Sequence, residues 1–160
     1  PGSVVRATVE GTRPILVEVQ ALVSKSSFGY PKRTASGFDI NRLNLLVAVL
    51  QKRAGLNLSD QDIYVNIIGG LKITEPAADL AIILAIASAF KNQPTAHNLI
   101  SFGEVGLSGE IRSVSNVAVL KKKKKKLGFK YVVGPNNLSQ AQNIQRAKNI
   151  KQAIEAALGS

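Results

Sequence analysis

The stretch IIGGLKITEPAADLAIILAIASAF, Ile67 to Phe90, decides how this chain is read. β-Branched residues run into Gly69 and Gly70, and Glu75 with Pro76 then opens an apolar segment that ends at Phe90. This order predicts a strand, a glycine turn and a helix, because an early acidic residue and an early proline both favour a helix start. The helix is apolar nearly all round and is therefore expected at the centre of the domain. A junction of this kind can present a reactive side chain, yet Pro76, Ala77 and Ala78 carry no nucleophile.

Upstream of the junction, Asp39 is placed to cap a helix over INRLNLLVAVLQKRAG, whose Leu and Val spacing buries one face and which Gly55 ends. The preceding KSSFGYPKRTASGFD is polar, with two glycines and a proline, and reads as an exposed loop. SVVRATVEG and RPILVEVQALVS alternate apolar and polar residues on either side of Gly11, Thr12 and Arg13, the pattern of a hairpin. Downstream, LISFGEVGL and EIRSV, separated by Ser108 and Gly109, predict a second hairpin. A lysine-rich helix, a strand KYVVGP and a closing helix NIKQAIEAALG follow. Hairpins mixed with helices argue for one α+β domain over residues 1–160 rather than a uniform doubly wound sheet.

Composition narrows the function classes. With 45% apolar residues in 160, the chain can bury a core, and no apolar run approaches the ~20 residues a membrane span needs. There is no cysteine, so disulfides and thiolate metal sites are excluded, and with the single His97 a zinc centre would have to rely on carboxylates. The lack of disulfides suits a cytoplasmic protein. PGS at 1–3 and GS at 159–160, with no methionine anywhere, are read as cloning remnants flanking an excised fragment. The net charge of +11 suggests a polyanionic partner, although six of the cations form the run Lys121 to Lys126.

EGTRPILVEVQALVS, FGYPKRTASGFDINRLNLLVAVLQKRAG, the junction stretch and FGEVGLSGEIRSV resemble the C-terminal domain of the bacterial DNA repair family RadA, also called Sms. That domain is similar to the proteolytic domain of Lon, and the resemblance implies the fold of the second domain of ribosomal protein S5, a mixed sheet with packed helices. In Lon-type peptidases a serine stands where this chain has Ala77, and a lysine where counting back from LGFK gives Ala118. Asp79 stands where those peptidases have glycine. Alanine can neither attack a carbonyl nor take a proton, so the resemblance implies a degenerate site without catalysis. It also implies a zinc-binding segment and a RecA-like ATPase elsewhere in the family protein, with their Zn, ATP and Mg, and no cofactor in this domain. The implied role is a DNA-binding and oligomerisation scaffold, in a hexameric ring that drives branch migration and works with RecA.

The candidate DNA contacts are Arg13, Lys32, Arg33, Arg42, Lys72 and Arg112, all at turns or element ends. Lys or Arg at such places can neutralise phosphates and release counterions, with little sequence preference, on single strands or duplex. Gly37, Gly69 and Gly70 would let backbone approach a phosphate. Against this stands the reading that these are solvated charges or partners for Glu10, Asp39 and Glu110. The lysine run covers every face of a helix and departs from the mixed Ala and Glu pattern that the resemblance implies, so no specific site is placed on it. Glu75 and Asp79 share a helical face, but helix-start and hydrogen-bonding roles are expected before acid and base chemistry. The alternatives left open are a Lon-type serine-lysine peptidase with a displaced nucleophile and a purely structural oligomerisation domain without DNA contact.

Overall fold

The computed structural model describes residues 2–10, 13–27, 29–68, 76–95, 99–112, 131–135 and 144–158, with 3–10, 13–16, 76, 131–135 and 144–145 described through their backbone alone. Its strands are β1 (Ser3–Glu10), β2 (Arg13–Lys25), β3 (Arg33–Ser36), β4 (Gln61–Ile68), β5 (Leu99–Ser101), β6 (Glu104–Val105), β7 (Ile111–Arg112), β8 (Tyr131–Pro135) and β9 (Ile144–Ala147). Its α-helices are α1 (Ile40–Arg53), α2 (Asp79–Lys91) and α3 (Ile150–Leu158).

Seven strands form one sheet in the order β3-β4-β2-β1-β5-β8-β9, and β6 pairs with β7 apart from it. The sheet is mixed. β1 and β4 flank β2 antiparallel, while β3 joins β4, and β5, β8 and β9 add beyond β1, all in parallel. The first hairpin forms as the alternation predicts, with Glu10 facing Arg13 across a two-residue connection. The predicted α+β class holds.

α2 lies at the centre. Every residue from Asp79 to Ser88 is buried, and the helix packs on β1 and β2 with α1 and α3 beside it. Each fully buried Leu or Ile there contributes ~1.5–3 kcal/mol relative to an exposed one. α1 starts where Asp39 Oδ1 accepts the Asn41 N–H at 3.3 Å. It ends at Gly55, whose φ of +70° turns the chain so that the Leu56 N–H bonds back to the Leu50 carbonyl at 3.3 Å. Lys52 and Arg53 occupy its last turn, where the helix dipole favours cations.

Three expectations need correction, and one strand was not foreseen. The segment read as an exposed loop contains β3, a short edge strand parallel to β4, with alternate half-buried residues. Arg33 and Ala35 turn inward there, so four residues suffice to cover one edge of the sheet. The second hairpin is smaller than predicted, because Leu99–Ser101 leaves it to join the main sheet between β1 and β8. Its three residues are buried on both faces, which is the pattern of a parallel central strand. β9 was not anticipated; IQRA is too short and polar to stand out from its neighbours. The helix predicted from Pro76 begins as one 3-10 turn over Pro76–Ala78 before α2 proper, and it runs one residue past Phe90 to Lys91. The lysine run lies outside the described residues.

The helices cover one face of the sheet. On the other face of β2, β4 and β3, cross-strand registers align Leu22, Tyr64 and Thr34 in one row and Gln20, Asn66 and Ser36 in the next. Leu22, Tyr64 and Ile68 are exposed on this side.

Candidate functional site

The junction that opens the sequence problem is built from three pieces of chain. Ala77 is half-buried and Ala78 fully buried in the 3-10 turn, and neither offers a side chain to cap α2. The tertiary fold supplies what the cap lacks. The Leu80 N–H donates to the Gly103 carbonyl at 3.0 Å, and the Gly103 N–H donates to the Ala77 carbonyl at 3.1 Å. Gly103 has φ +152°, and a β-carbon there would meet Ile111 Cγ2 at 2.7 Å. Only glycine lets the strand approach the helix start this closely.

Beside this contact sits an ion pair that the sequence reading named only as separate residues. Arg42, on the first turns of α1, donates Nε to Asp79 Oδ1 at 3.1 Å and Nη2 to Asp79 Oδ2. The Val105 N–H donates to Asp79 Oδ2 at 3.0 Å, and Arg42 Nη2 also reaches the Val105 carbonyl at 3.1 Å. Asp79 has no accessible surface, whereas the Arg42 side chain is 29% exposed. One carboxylate thus fastens α1, α2 and the β6–β7 hairpin together. Burial pushes the Asp79 carboxyl above the ordinary carboxylate range, and the hydrogen bonds from Arg42 and Val105 pull against it. The hydrogen bond to Asp79 holds the proton on Arg42 more firmly still. A lone Asp in an otherwise apolar helix was the available signal, since a buried charge demands a partner.

The other named cations divide into two kinds. Arg33 donates Nη1 to the Gln61 carbonyl at 2.5 Å and Nη2 to the Leu58 carbonyl at 3.0 Å, so its guanidinium closes the loop before β4. Burial lowers its pKa and Asp62 opposes the shift, but the group stays a cation. Lys32 is exposed while its backbone N–H is held by Asp62 Oδ1 at 2.7 Å. Arg112 is exposed, with Nη2 3.7 Å from Glu110 Oε2. Arg13 begins β2, and its side chain is not among those described. Lys72, Glu75, Ala118 and His97 lie outside the described residues, as do Gly69 and Gly70.

The buried serine hydroxyls show no catalytic pairing among the described residues. Ser88 is buried, accepting the Gly2 N–H at 2.9 Å and donating to the Gln93 carbonyl at 2.5 Å. Ser101 is buried with its Oγ unpartnered. Among the described residues no group of three or more His, Asp or Glu could hold a metal ion, and no helix is long and apolar enough to cross a membrane.

Comparison with known proteins places this chain in a family. The family model described as subunit ChlI of Mg-chelatase matches residues 41–137. The DNA repair protein RadA of Bacillus subtilis is 46% identical over 164 residues, covering 99% of this chain and 36% of that protein. RadA of Halalkalibacterium halodurans gives the same figures, and RadA of Pseudomonas aeruginosa is 50% identical over 135 residues, covering 84% of this chain and 30% of its own. The chain spans about a third of the length of these curated relatives. On these matches the chain belongs to the family described as subunit ChlI of Mg-chelatase and is a homologue of the DNA repair proteins named RadA.

Proposed function

We propose that this chain is the Lon-like scaffold domain of a RadA-type DNA repair protein, without hydrolytic activity of its own, which contacts DNA through phosphates and assembles with copies of itself into a ring. The observation that carries the proposal is the occupied junction. Where a Lon-type peptidase would present its serine, Ala77 presents a methyl group, and the neighbouring Asp79 is spent on Arg42 and Val105. A carboxylate with these partners and no access to solvent cannot serve as a general base.

The relatives supply the context. Proteins named for DNA repair match most of this chain, and its excess of 21 Lys and Arg over 10 Asp and Glu suits a polyphosphate partner. In the whole protein the ATPase, with its ATP and Mg, would drive branch migration together with RecA, and a zinc segment would sit apart from this domain. The fold in this reading is that of the Lon proteolytic domain and of the second domain of ribosomal protein S5.

The test is binding of a labelled single strand and a duplex across a salt series, comparing the parent with Arg13, Lys72 and Arg112 changed together to Ala. Each lost phosphate contact should reduce the duplex salt slope by about 0.9, so the triple variant should lose about 2 to 3. A parent that binds neither nucleic acid at low salt sinks the DNA reading and leaves an oligomerisation domain.

A further inference from the structure

The fold gathers cations that are far apart in the sequence at one corner of the domain. The corner is the turn 106–110 of the β6–β7 hairpin, held by the Gly106 N–H on the Glu110 carbonyl and the Gly109 N–H on the Gly106 carbonyl, both at 2.9 Å. The end of α1 reaches it through Arg53, whose Nε donates to the Leu107 carbonyl at 3.3 Å. The start of α3 reaches it from the other side, since the Ile150 N–H donates to the Gly109 carbonyl at 2.8 Å and the Ile111 N–H to the Lys148 carbonyl at 2.9 Å. The approach is close. A β-carbon on Gly109 would stand 2.9 Å from Arg53 Cβ and 3.5 Å from Ile150 Cγ1.

Arg53, Arg112, Lys148 and Lys151 are therefore brought to this corner, with Lys52 and Arg146 close to them in the chain, and all six are exposed. They are six of the fifteen cations left when the lysine run is set aside, 21 − 6 = 15. The facing acids are few. Glu110 bends onto its own turn, accepting the Ser108 N–H at 3.2 Å, and lies 3.7 Å from Arg112. Glu104, opposite Arg112 across the hairpin, is half-buried, and Glu155 lies one helical turn beyond Lys151 on α3. The backbone at the corner is rigid, because Asn149 Oδ1 caps the Gln152 N–H and Gln152 Oε1 accepts the Lys148 N–H, both at 2.9 Å.

We infer that this corner, formed by the end of α1, the hairpin turn and the start of α3, is a binding surface for the phosphate backbone of duplex DNA. The inference rests on the DNA-binding reading above and adds a further patch to that binding, one that shares Arg112 with the sequence-named residues. Charge complementarity carries it. A dense line of phosphates is the partner that gains from several cations on a fixed backbone, each one releasing counterions. The exposed Leu107 at the tip of the turn is one apolar side chain, too little to anchor the corner in a lipid surface.

The test compares Lys148→Gln/Lys151→Gln with Lys25→Gln/Lys91→Gln, an equal loss of charge on β2 and at the end of α2. Duplex binding is titrated across salt on the same chain, so the lysine run is constant. The corner variant should lower the salt slope by about 2 and weaken binding at least tenfold at low salt, while the other leaves the slope nearly unchanged. Equal effects, or none from the corner variant while the parent binds duplex, overturn the inference and leave the DNA reading standing. A parent that binds no DNA removes both. Vesicles containing phosphatidylserine form the last arm, and tighter binding to them than to duplex, lost in the corner variant, overturns DNA as the occupant. Circular dichroism melts establish that each variant is folded.

Discussion

Arg42→Met should be among the most damaging single changes outside the apolar core, and its cost can be worked from the two ends of the ion pair. Asp79 has no accessible surface, so removing the guanidinium leaves a buried carboxylate that still accepts the Val105 N–H but faces no cation. Breaking a buried pair from one side costs about 3–5 kcal/mol, because the remaining charge is uncompensated. Asp79→Leu should be milder. Arg42 is 29% exposed and can turn its guanidinium to water, so the main loss is the Val105 N–H left without its acceptor, about 1–3 kcal/mol. The double variant Arg42→Met/Asp79→Leu should then cost no more than Asp79→Leu alone, since no buried charge remains. Urea unfolding followed by circular dichroism reads these differences, and for a chain of this length each 1 kcal/mol moves Tm by roughly 2–4 °C. Additive effects, or Asp79→Leu costing more than Arg42→Met, would refute the assignment of Asp79 as the buried charge that the fold depends on.

Two further outcomes follow from the same site and its neighbour. Because burial raises the Asp79 carboxyl above its unfolded value, the folded state holds the proton more tightly; that stability is fully present below the unfolded pKa and is lost as pH rises through the raised one. The advantage of the parent over Asp79→Asn should therefore shrink as pH rises from about 4, whereas an advantage that grows would mean Arg42 and Val105 outweigh burial. Arg33→Gln should cost about 1–3 kcal/mol through the carbonyls of Leu58 and Gln61, while the folded variant keeps its duplex affinity within about twofold. A large affinity loss without a stability loss would show that Arg33 contacts DNA instead.

How far the sequence carried can be judged from particular elements. The central helix, α1 with its Asp39 cap and Gly55 stop, and the first hairpin were legible because each rests on local periodicity and local capping. β9 was not, and the LIS of β5 reads as a strand but with the wrong partner, since three- and four-residue strands are placed by parallel neighbours that are distant in sequence. β3 was hidden for the same reason inside a stretch rich in turn residues. At the junction, that Ala77 and Ala78 carry no nucleophile is visible by inspection. The pairing of Arg42 with Asp79 was not, because 37 residues separate them and only the packing of α1 on α2 joins them.

The same separation explains why counting basic residues misjudges a polyanion surface. A cation at an element end has two futures, and the sequence does not distinguish them. Arg33 donates to two backbone carbonyls and Arg42 to a buried carboxylate and a carbonyl, so the fold consumes their charge. Lys148, Lys151 and Lys52 carry no such debt to the interior, and their side chains stay in solvent. What turns the second group into a surface is the hairpin turn, whose backbone groups bond with Arg53 on one side and with the start of α3 on the other. Asp79 reaches this hairpin through the Val105 N–H. The carboxylate beside the junction thus anchors the element next to which exposed cations are held, so the packing of α1 on α2 and the presentation of charge share one piece of geometry.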